Sequence, residues 1–209
     1  MNAYDLAFKM QTEAPEVLDL SKESQDTLDL YGIGKEPTND YGRRCLLARK
    51  LVEEGVRFTT VVSGGGTGNL MWDAHSDIEE NHLRMAEHTD QPVAGLLKDL
   101  KRRGLLYDTL VVWGGEFGRS PEAQDGKGRD HHNLGFTMWM AGGGIKGGQV
   151  VGATDEIGLR VIEKPYHFRD IHNTILHQLG IDQNQLTYPH LGRDERLTFL
   201  EGKLIEDII

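Results

Sequence analysis

Helix patterns alternate with strand patterns along the chain, and this alternation is the feature that most limits how the sequence can fold. Apolar residues at helical spacing run through 41–54 and end at Gly55, a residue typical of helix C-termini. The β-branched run Arg57–Ser63 predicts a strand, and the polar stretch 77–87 predicts another helix. Such alternation predicts an α/β fold with a mixed, mostly parallel central sheet and helices on both faces.

The second half of the chain continues the pattern. Pro92 opens a helical pattern that ends at Gly104. The nearly continuous apolar run Thr109–Trp113 predicts a strand that is covered on both faces. The remaining predictions are strands at 136–141 and 150–153, a helix from Arg169 to Gly180, and a last strand or short helix at 197–204.

The length sets the expected domain organisation. A chain of 209 residues is enough for one substantial core, so we predict a single domain over 1–209. Residues 12–40 are polar and irregular, but they include apolar side chains such as Leu18, Leu28 and Leu30. We therefore expect 1–40 to be an irregular or helical arm that packs on the domain.

The charge balance bears on the partners. The chain has 33 acidic and 23 basic side chains, for a net charge of -10. Without an excess of cations, neither nucleic acid nor an anionic membrane is an expected partner. No apolar stretch approaches the ~20 residues that span a bilayer, and Met1–Met10 lacks a signal-peptide pattern. The single cysteine, Cys45, cannot form an intrachain disulfide, and we interpret it as a buried structural thiol.

The first candidate motif is Trp72-Asp73-Ala74-His75. In extended backbone, alternate side chains point to the same side, so Asp73 and His75 can reach one ion. A carboxylate with an imidazole suits zinc, manganese or iron. The two residues could instead cap the next helix through local hydrogen bonds, and the spacing alone leaves both interpretations open.

The second candidate is Glu116, which follows the predicted strand Thr109–Trp113 after two glycines. Glycines let a backbone or a ligand approach closely, and ligands of α/β folds bind at the carboxyl ends of strands. The alternative is an ion pair between Glu116 and Arg119 across a tight turn. The position of Glu116 after the strand favours the ligand role.

The third candidate is the polar cluster at 128–132. Asp130 with His131 or His132 can complete a metal shell, and Arg129 can hold a phosphate or sulfate through two N–H donors. The alternative is a solvated loop, because the preceding residues are loop-like. Together, the three motifs predict carboxylates and imidazoles that converge on a divalent metal near an anionic ester.

These motifs resemble an uncharacterised, largely bacterial sulfatase-like family, the domain of unknown function 1501. The resemblance covers nearly the whole chain and rests on Trp72–His75, Asp108–Pro121, Gly128–His132 and Gly142–Asp155. More distantly, the family is similar to the alkaline phosphatase superfamily. The segment Asp170–Ile181 is similar to the Asp-Ile-x-Pro-Thr-Leu-Leu helix of sulfatases and phosphodiesterases, with Asn173 in place of the proline.

The resemblance implies an alkaline-phosphatase-like α/β sandwich with a divalent metal cofactor (zinc, manganese or calcium) at the strand ends. The implied metal ligands are Asp73, His75, Glu116, Asp130 and His131. The superfamily commonly has His directly after its central Asp, whereas Phe117 follows Glu116 here. Family members are commonly about twice this length and often carry export signals, and this chain resembles their C-terminal half.

Two functions follow from the motifs and the resemblance. The first is a metal-dependent hydrolase of small phosphate or sulfate esters, in which the ion polarises the ester and activates a bound water or hydroxyl. Arg119 and Arg129 would neutralise the anion in the transition state. The second is a non-catalytic or incomplete superfamily member that acts as a binding or structural domain, because the superfamily's nucleophile normally lies near the N-terminus.

Overall fold

The computed structural model describes residues 15–64, 72–196 and 202–209. The chain divides into two compact units: Met1–Leu105 with Gln124–Gly128, and Leu106–Ala123 with Arg129–Ile209. A domain can contain more than one compact unit, so the single domain over 1–209 stays a prediction. Within the described ranges, no helix has the length and apolar character needed to cross a membrane.

The first unit is helical. Its helices include α1 (Gln25–Leu30), α2 (Asn39–Glu53) and α3 (Ile78–Arg102), and both α1 and α2 pack on α3. Gly95 permits the close approach of α1 to α3, because a Cβ there would lie 2.6 Å from the carbonyl oxygen of Leu30.

The apolar core of this unit lies between the helices. It is formed by Leu20, Tyr31, Ile33, Tyr41, Cys45 and Leu46. Burial raises the pKa of the Cys45 thiol to about 12, so the thiol stays neutral and has the structural role that we predicted. Leu20, Tyr31 and Ile33 come from the 15–40 part of the predicted arm, and residues 1–14 of that arm lie outside the described residues.

A carboxylate, Asp99 of α3, is fully buried inside the helical unit at 0% exposure. Arg102 Nη2 and Arg103 Nε donate to its Oδ1 at 2.8 and 3.0 Å, and the Tyr31 hydroxyl donates to its Oδ2 at 3.0 Å. Burial alone would raise the pKa of Asp99. The hydrogen bonds outweigh it, so the pKa lies below its ordinary value and the carboxyl is charged.

Arg49 of α2 extends this charged network. Its Nε lies 3.1 Å from Asp99 Oδ2 as an ion pair without hydrogen-bond alignment, and its Nη2 lies 2.8 Å from Glu23. Its Nη1 donates to Glu53, which also accepts from Arg103 at 2.8 Å. The Arg49 side chain is 2% exposed, so three carboxylates balance one buried cation and join α2 to α3 and to the segment before α1.

The described residues of the second unit form short strands, one α-helix and short 3-10 turns. Its elements are β1 (Val111–Trp113), β2 (Gly118–Gln124), β3 (Gly128–His132), β4 (Trp139–Ala141), β5 (Ala153–Thr154), β6 (Val161–Glu163), α4 (Phe168–Gln178), β7 (Thr187–His190) and β8 (Arg193–Arg196). The last residue of β2, Gln124, and the first residue of β3, Gly128, belong to the first unit. The pairs are β1 with β4, β2 with β3, β5 with β6 and β7 with β8. The β1–β4 register places Trp113 opposite Trp139, and their rings stack with centroids 6.2 Å apart.

Helix α4 holds the C-terminal segment 202–209. His167 caps the helix, and Asp170 completes a capping box with it. The buried amide of Asn173 donates to the carbonyl of Gly202 at 2.8 Å, and the amide of Ile205 donates to Thr174 Oγ1 at 3.1 Å. The Asn173 side chain therefore holds the C-terminal segment against α4.

The predicted mixed, mostly parallel central sheet with helices on both faces is wrong. Across the described ranges, every sheet has two antiparallel strands. The predicted strand Arg57–Ser63 is not one, and Arg44 Nη1 donates to the carbonyls of Val62 and Gly64 at 3.1 and 3.3 Å. A side chain thus binds carbonyls that a neighbouring strand would otherwise have used.

The strand expected to be covered on both faces also differs. Only Val111–Trp113 of the predicted run is a strand, and Val112 and Trp113 are each 36% exposed. An apolar, β-branched run fits a short antiparallel pair as well as a central parallel strand, so composition could not fix the sheet order.

The helix predictions are closer to the structure. α2 and α4 match the predicted helices at 41–54 and from Arg169, and Gly55 follows α2 with φ 82°. The two helices predicted on either side of Pro92 are one helix, α3. Met85 and Leu100 are buried on both sides of Pro92, and this packing keeps the helix continuous despite the missing N–H. Of the predicted element at 197–204, residues 197–201 lie outside the described residues.

We expect Asp99→Ala to lower the free energy of unfolding by about 3 kcal/mol, because it leaves Arg49 and the Tyr31 hydroxyl buried without this partner. Urea unfolding followed by circular dichroism measures the loss. The contribution of Asp99 is present above its unfolded-state pKa and is lost as the pH falls through its lowered folded-state pKa, so the difference should shrink in acid.

Asp90→Ala is the matched control, since Asp90 is an exposed carboxylate on the same helix. It should change stability by no more than about 0.5 kcal/mol. Equal stabilities of the two variants would contradict the importance given to the Asp99 network.

Candidate metal centre

The loop before α3 carries the first candidate motif and is held at both ends. At its start, Trp72 Nε1 donates to Ser63 Oγ at 2.9 Å, and His82 Nε2 donates to the Trp72 carbonyl at 3.3 Å. The Trp72 and His82 rings also meet edge to face, with centroids 5.3 Å apart. At its end, Asp77 caps α3 by accepting from the amide of Glu80 at 3.1 Å. Asp77, rather than Asp73 or His75, therefore fills the capping role.

Asp73 and His75 lie side by side in this loop. Their Oδ1 and Nε2 atoms are 2.9 Å apart, and the intervening Ala74 is buried. Two ligands of a zinc-sized ion at ~2.0–2.2 Å from the metal are roughly 3 Å from each other. The pair therefore has the donor chemistry and the spacing of two neighbouring metal ligands.

A third residue, Gln124, contacts the other side of the His75 ring. Gln124 Oε1 lies 2.7 Å from His75 Nδ1. Gln124 is the last residue of β2 and precedes the turn residues Asp125 and Gly126, whose φ angles are 48° and 80°. Positive φ at both positions is the signature of the two-residue type I′ hairpin turn.

This turn lies directly against the loop. The amide of Ile78 donates to the carbonyl of Lys127 at 3.2 Å, and Lys127 Nζ lies 3.6 Å from Asp77. Gly128 is buried so close to the loop that a Cβ there would lie 1.7 Å from the carbonyl oxygen of His75. Backbone contacts thus fix the turn, and with it Gln124, relative to His75.

The second unit holds another carboxylate–imidazole pair. Glu116 Oε1 lies 3.8 Å from His131 Nδ1, and the Phe117 ring meets the His131 ring edge to face with centroids 6.0 Å apart. The amide of His131 donates to Asp130 Oδ1 at 2.7 Å, so the Asp130 carboxylate contacts the backbone of the next residue. Glu116 therefore lies beside an imidazole, the partner that a shared ion would require.

Arg119, Arg129 and His132 have different surroundings. Arg119 of β2 donates from Nη1 to the carbonyl of Arg129 on β3 at 3.4 Å, so both guanidinium-bearing residues belong to one strand pair. His132 is buried, and its Nε2 donates to the carbonyl of Leu159 at 2.8 Å. The sequence allowed either His131 or His132 to act with Asp130 as a metal ligand. His132 forms a structural hydrogen bond, whereas His131 is exposed.

The predicted site residues thus fall into two groups. Asp73 and His75 lie together in the first unit, and the second unit contains Glu116, Arg119, Arg129, Asp130 and His131. The assignment of Asp73, His75, Glu116, Asp130 and His131 to a metal site, and of Arg119 and Arg129 to the substrate anion, stays a prediction. Sequence reasoning missed Gln124, although the Asp125-Gly126 dipeptide that follows it is a strong hairpin signal that would have located it.

Gly128→Ala should separate the turn from the loop, because the added Cβ would overlap the His75 carbonyl. We expect a loss of unfolding free energy on the order of 1–3 kcal/mol, as for other overpacked sites. Gly147→Ala is the matched control, since Gly147 has open space around it and no positive φ, and it should leave stability nearly unchanged. Thermal denaturation of both variants tests this, and an unaffected Gly128→Ala protein would contradict the close approach.

Comparison with known proteins adds one finding. No curated protein and no solved structure matches the chain. A family model described as "Protein of unknown function (DUF1501)" matches residues 1–209, which confirms that part of the resemblance. The match extends over the whole sequence, including the loop at 72–75 and the cluster at 128–132. The chain therefore belongs to the DUF1501 family.

Proposed function

We propose that this chain is a divalent-metal-dependent hydrolase of small phosphate or sulfate esters. The observation that carries the proposal is the Asp73–His75 pair, with 2.9 Å between carboxylate and imidazole atoms and Gln124 against the far side of the ring. A stabilising role for this pair is a weaker explanation, because ion pairs that are this exposed contribute little to stability.

The donor set indicates which ions fit. A carboxylate oxygen and an imidazole nitrogen suit zinc or manganese. Such an ion would polarise the ester and lower the pKa of a bound water. Asp73 and His75 would hold it, and Glu116 and His131 offer a second pair of the same composition.

Arg119 and Arg129 are proposed to neutralise the anionic ester in the transition state. Both belong to the β2–β3 strand pair, and a guanidinium group offers the planar pair of donors that phosphate and sulfate oxygens accept. His131 follows Arg129 by two residues on β3, so an ester held there would lie near an imidazole as well.

We also propose the more distant relationship to sulfatases and the alkaline phosphatase superfamily, with this chain corresponding to the C-terminal half of longer family members. Helix α4 supports the relationship, because it lies in the segment that resembles the sulfatase helix. The central sheet of that superfamily is not part of the proposal.

One observation favours the alternative of a non-catalytic binding or structural domain. Ser63 and Ser120 carry hydroxyls beside the candidate motifs that could act as nucleophiles. Ser63 Oγ accepts from Trp72 Nε1, and Ser120 Oγ accepts from the amide of Asp130 and donates to the carbonyl of Glu122. Both hydroxyls are thus engaged in structural hydrogen bonds. In the proposed hydrolase a water molecule would therefore be the nucleophile, whereas a binding domain would need none.

Asp73→Ala should weaken zinc or manganese binding at least about tenfold, because it removes an anionic ligand. Calorimetry with each ion measures the affinity. Ester turnover should fall together with the metal affinity. The substrates are p-nitrophenyl phosphate, bis-p-nitrophenyl phosphate and p-nitrophenyl sulfate, each with zinc, manganese or calcium.

Asp90→Ala should retain both metal binding and turnover, since Asp90 is exposed on α3 outside the loop. Unchanged metal affinity in Asp73→Ala would overturn the ligand assignment. Metal binding by the unaltered protein without turnover of any ester would favour the binding domain.

A further inference from the structure

The His75 ring lies between two oxygen atoms. Its Nδ1 is 2.7 Å from Gln124 Oε1, and its Nε2 is 2.9 Å from Asp73 Oδ1. A neutral imidazole carries one N–H and one lone pair. A neutral ring can therefore donate to only one of these oxygens, and that choice decides which nitrogen carries the lone pair that a metal would need.

We infer that Gln124 is a positioning residue that keeps the proton of His75 on Nδ1, so that Nε2 presents its lone pair beside the Asp73 carboxylate. The inference rests on the proposed metal-binding role of His75. An amide oxygen accepts but does not donate, so Gln124 Oε1 can form a hydrogen bond with the ring when the proton is on Nδ1. Histidines that bind metals commonly donate their other N–H to such an acceptor, which fixes both the tautomer and the ring orientation.

Asp73 competes with Gln124 for the ring proton. An N–H on Nε2 would instead donate to Asp73 Oδ1, and removal of the Gln124 acceptor should shift the ring toward that tautomer. In that tautomer His75 Nε2 has no lone pair to offer a metal beside Asp73 Oδ1. Gln124 is therefore the group that separates a competent ligand pair from a simple hydrogen bond between Asp73 and His75.

The turn gives Gln124 the rigidity that this role requires. Its two turn residues, Asp125 and Gly126, have the positive φ angles of a type I′ turn. Lys127 accepts from the amide of Ile78, and Gly128 packs on the carbonyl of His75 itself. The turn is thus fastened to the backbone of the residue whose ring it orients, and a strand end holds a side chain more firmly than a free loop does.

The test measures the ring tautomer in the metal-free protein, with ¹⁵N shifts of the His75 ring recorded at a pH where the ring is neutral. A His75→Asn variant assigns the resonances. We expect Nδ1–H in the unaltered protein and in Gln124→Glu, whose carboxylate keeps an acceptor in place. Gln124→Leu should shift the ring to Nε2–H.

The metal affinities of the same variants supply the second measurement. Zinc binding should fall about 10–100-fold in Gln124→Leu, the range typical for loss of a partner to a metal-binding histidine, and stay within about threefold in Gln124→Glu. Gln25→Leu is the matched control, because Gln25 is an exposed glutamine in the same unit and contacts Asp29 instead. It should change neither the tautomer nor the affinity.

The possible outcomes separate this inference from the proposed function. A ring that is Nε2–H in the unaltered protein, or one that stays Nδ1–H in Gln124→Leu, overturns the role of Gln124. Gln124→Glu is nearly isosteric and keeps an acceptor, so it should fold like the unaltered protein. Loss of the Nδ1–H form in this variant would also overturn the role of Gln124. If the tautomers behave as expected while the unaltered protein binds neither zinc nor manganese, the metal function fails and the positioning by Gln124 stands.

Discussion

The buried carboxylate of Asp99 is the constraint on which the helical unit depends. It accepts hydrogen bonds from Arg102, Arg103 and Tyr31, and it lies beside the buried Arg49 of α2. A charge without water is stable only when such partners surround it, so α3 has one acceptable position relative to α2 and α1. The position of α3 also determines where the Asp73–His75 loop ends, because this loop ends at the N-terminal cap of α3.

The geometry of the centre depends on a contact between two backbones. Gly128 approaches the His75 carbonyl more closely than any other residue type would allow, and Ile78 donates to Lys127 beside it. These contacts bring Gln124 within 2.7 Å of the imidazole. A site defined by atoms a few ångströms apart is thus held by main-chain packing, which is stiffer than side-chain contacts alone.

The sequence predicted the parts of this structure that depend on local signals. Helical spacing with a terminal glycine located α2 at 41–54, and the two-residue spacing of Asp73 and His75 anticipated their contact. The sheet could not be predicted in the same way, because Arg57–Ser63 has the composition of a strand and a strand also needs a partner that composition does not specify. The role of Gln124 could not be predicted from the sequence, because it depends on a contact with His75, which lies 49 residues away along the chain.

The exposure of the candidate ligands separates their function from the stability of the fold. The side chains of Asp73 and His75 are 47% and 38% exposed, whereas Asp99 is fully buried. Partly exposed ion pairs contribute roughly 0–1 kcal/mol to stability, and a buried charge with several partners contributes far more when it is removed. A fold that depends on Asp99 therefore does not require a carboxylate at 73. Changes in metal binding caused by substitutions at Asp73 thus report on the site itself, because the helices that carry the loop are stabilised elsewhere.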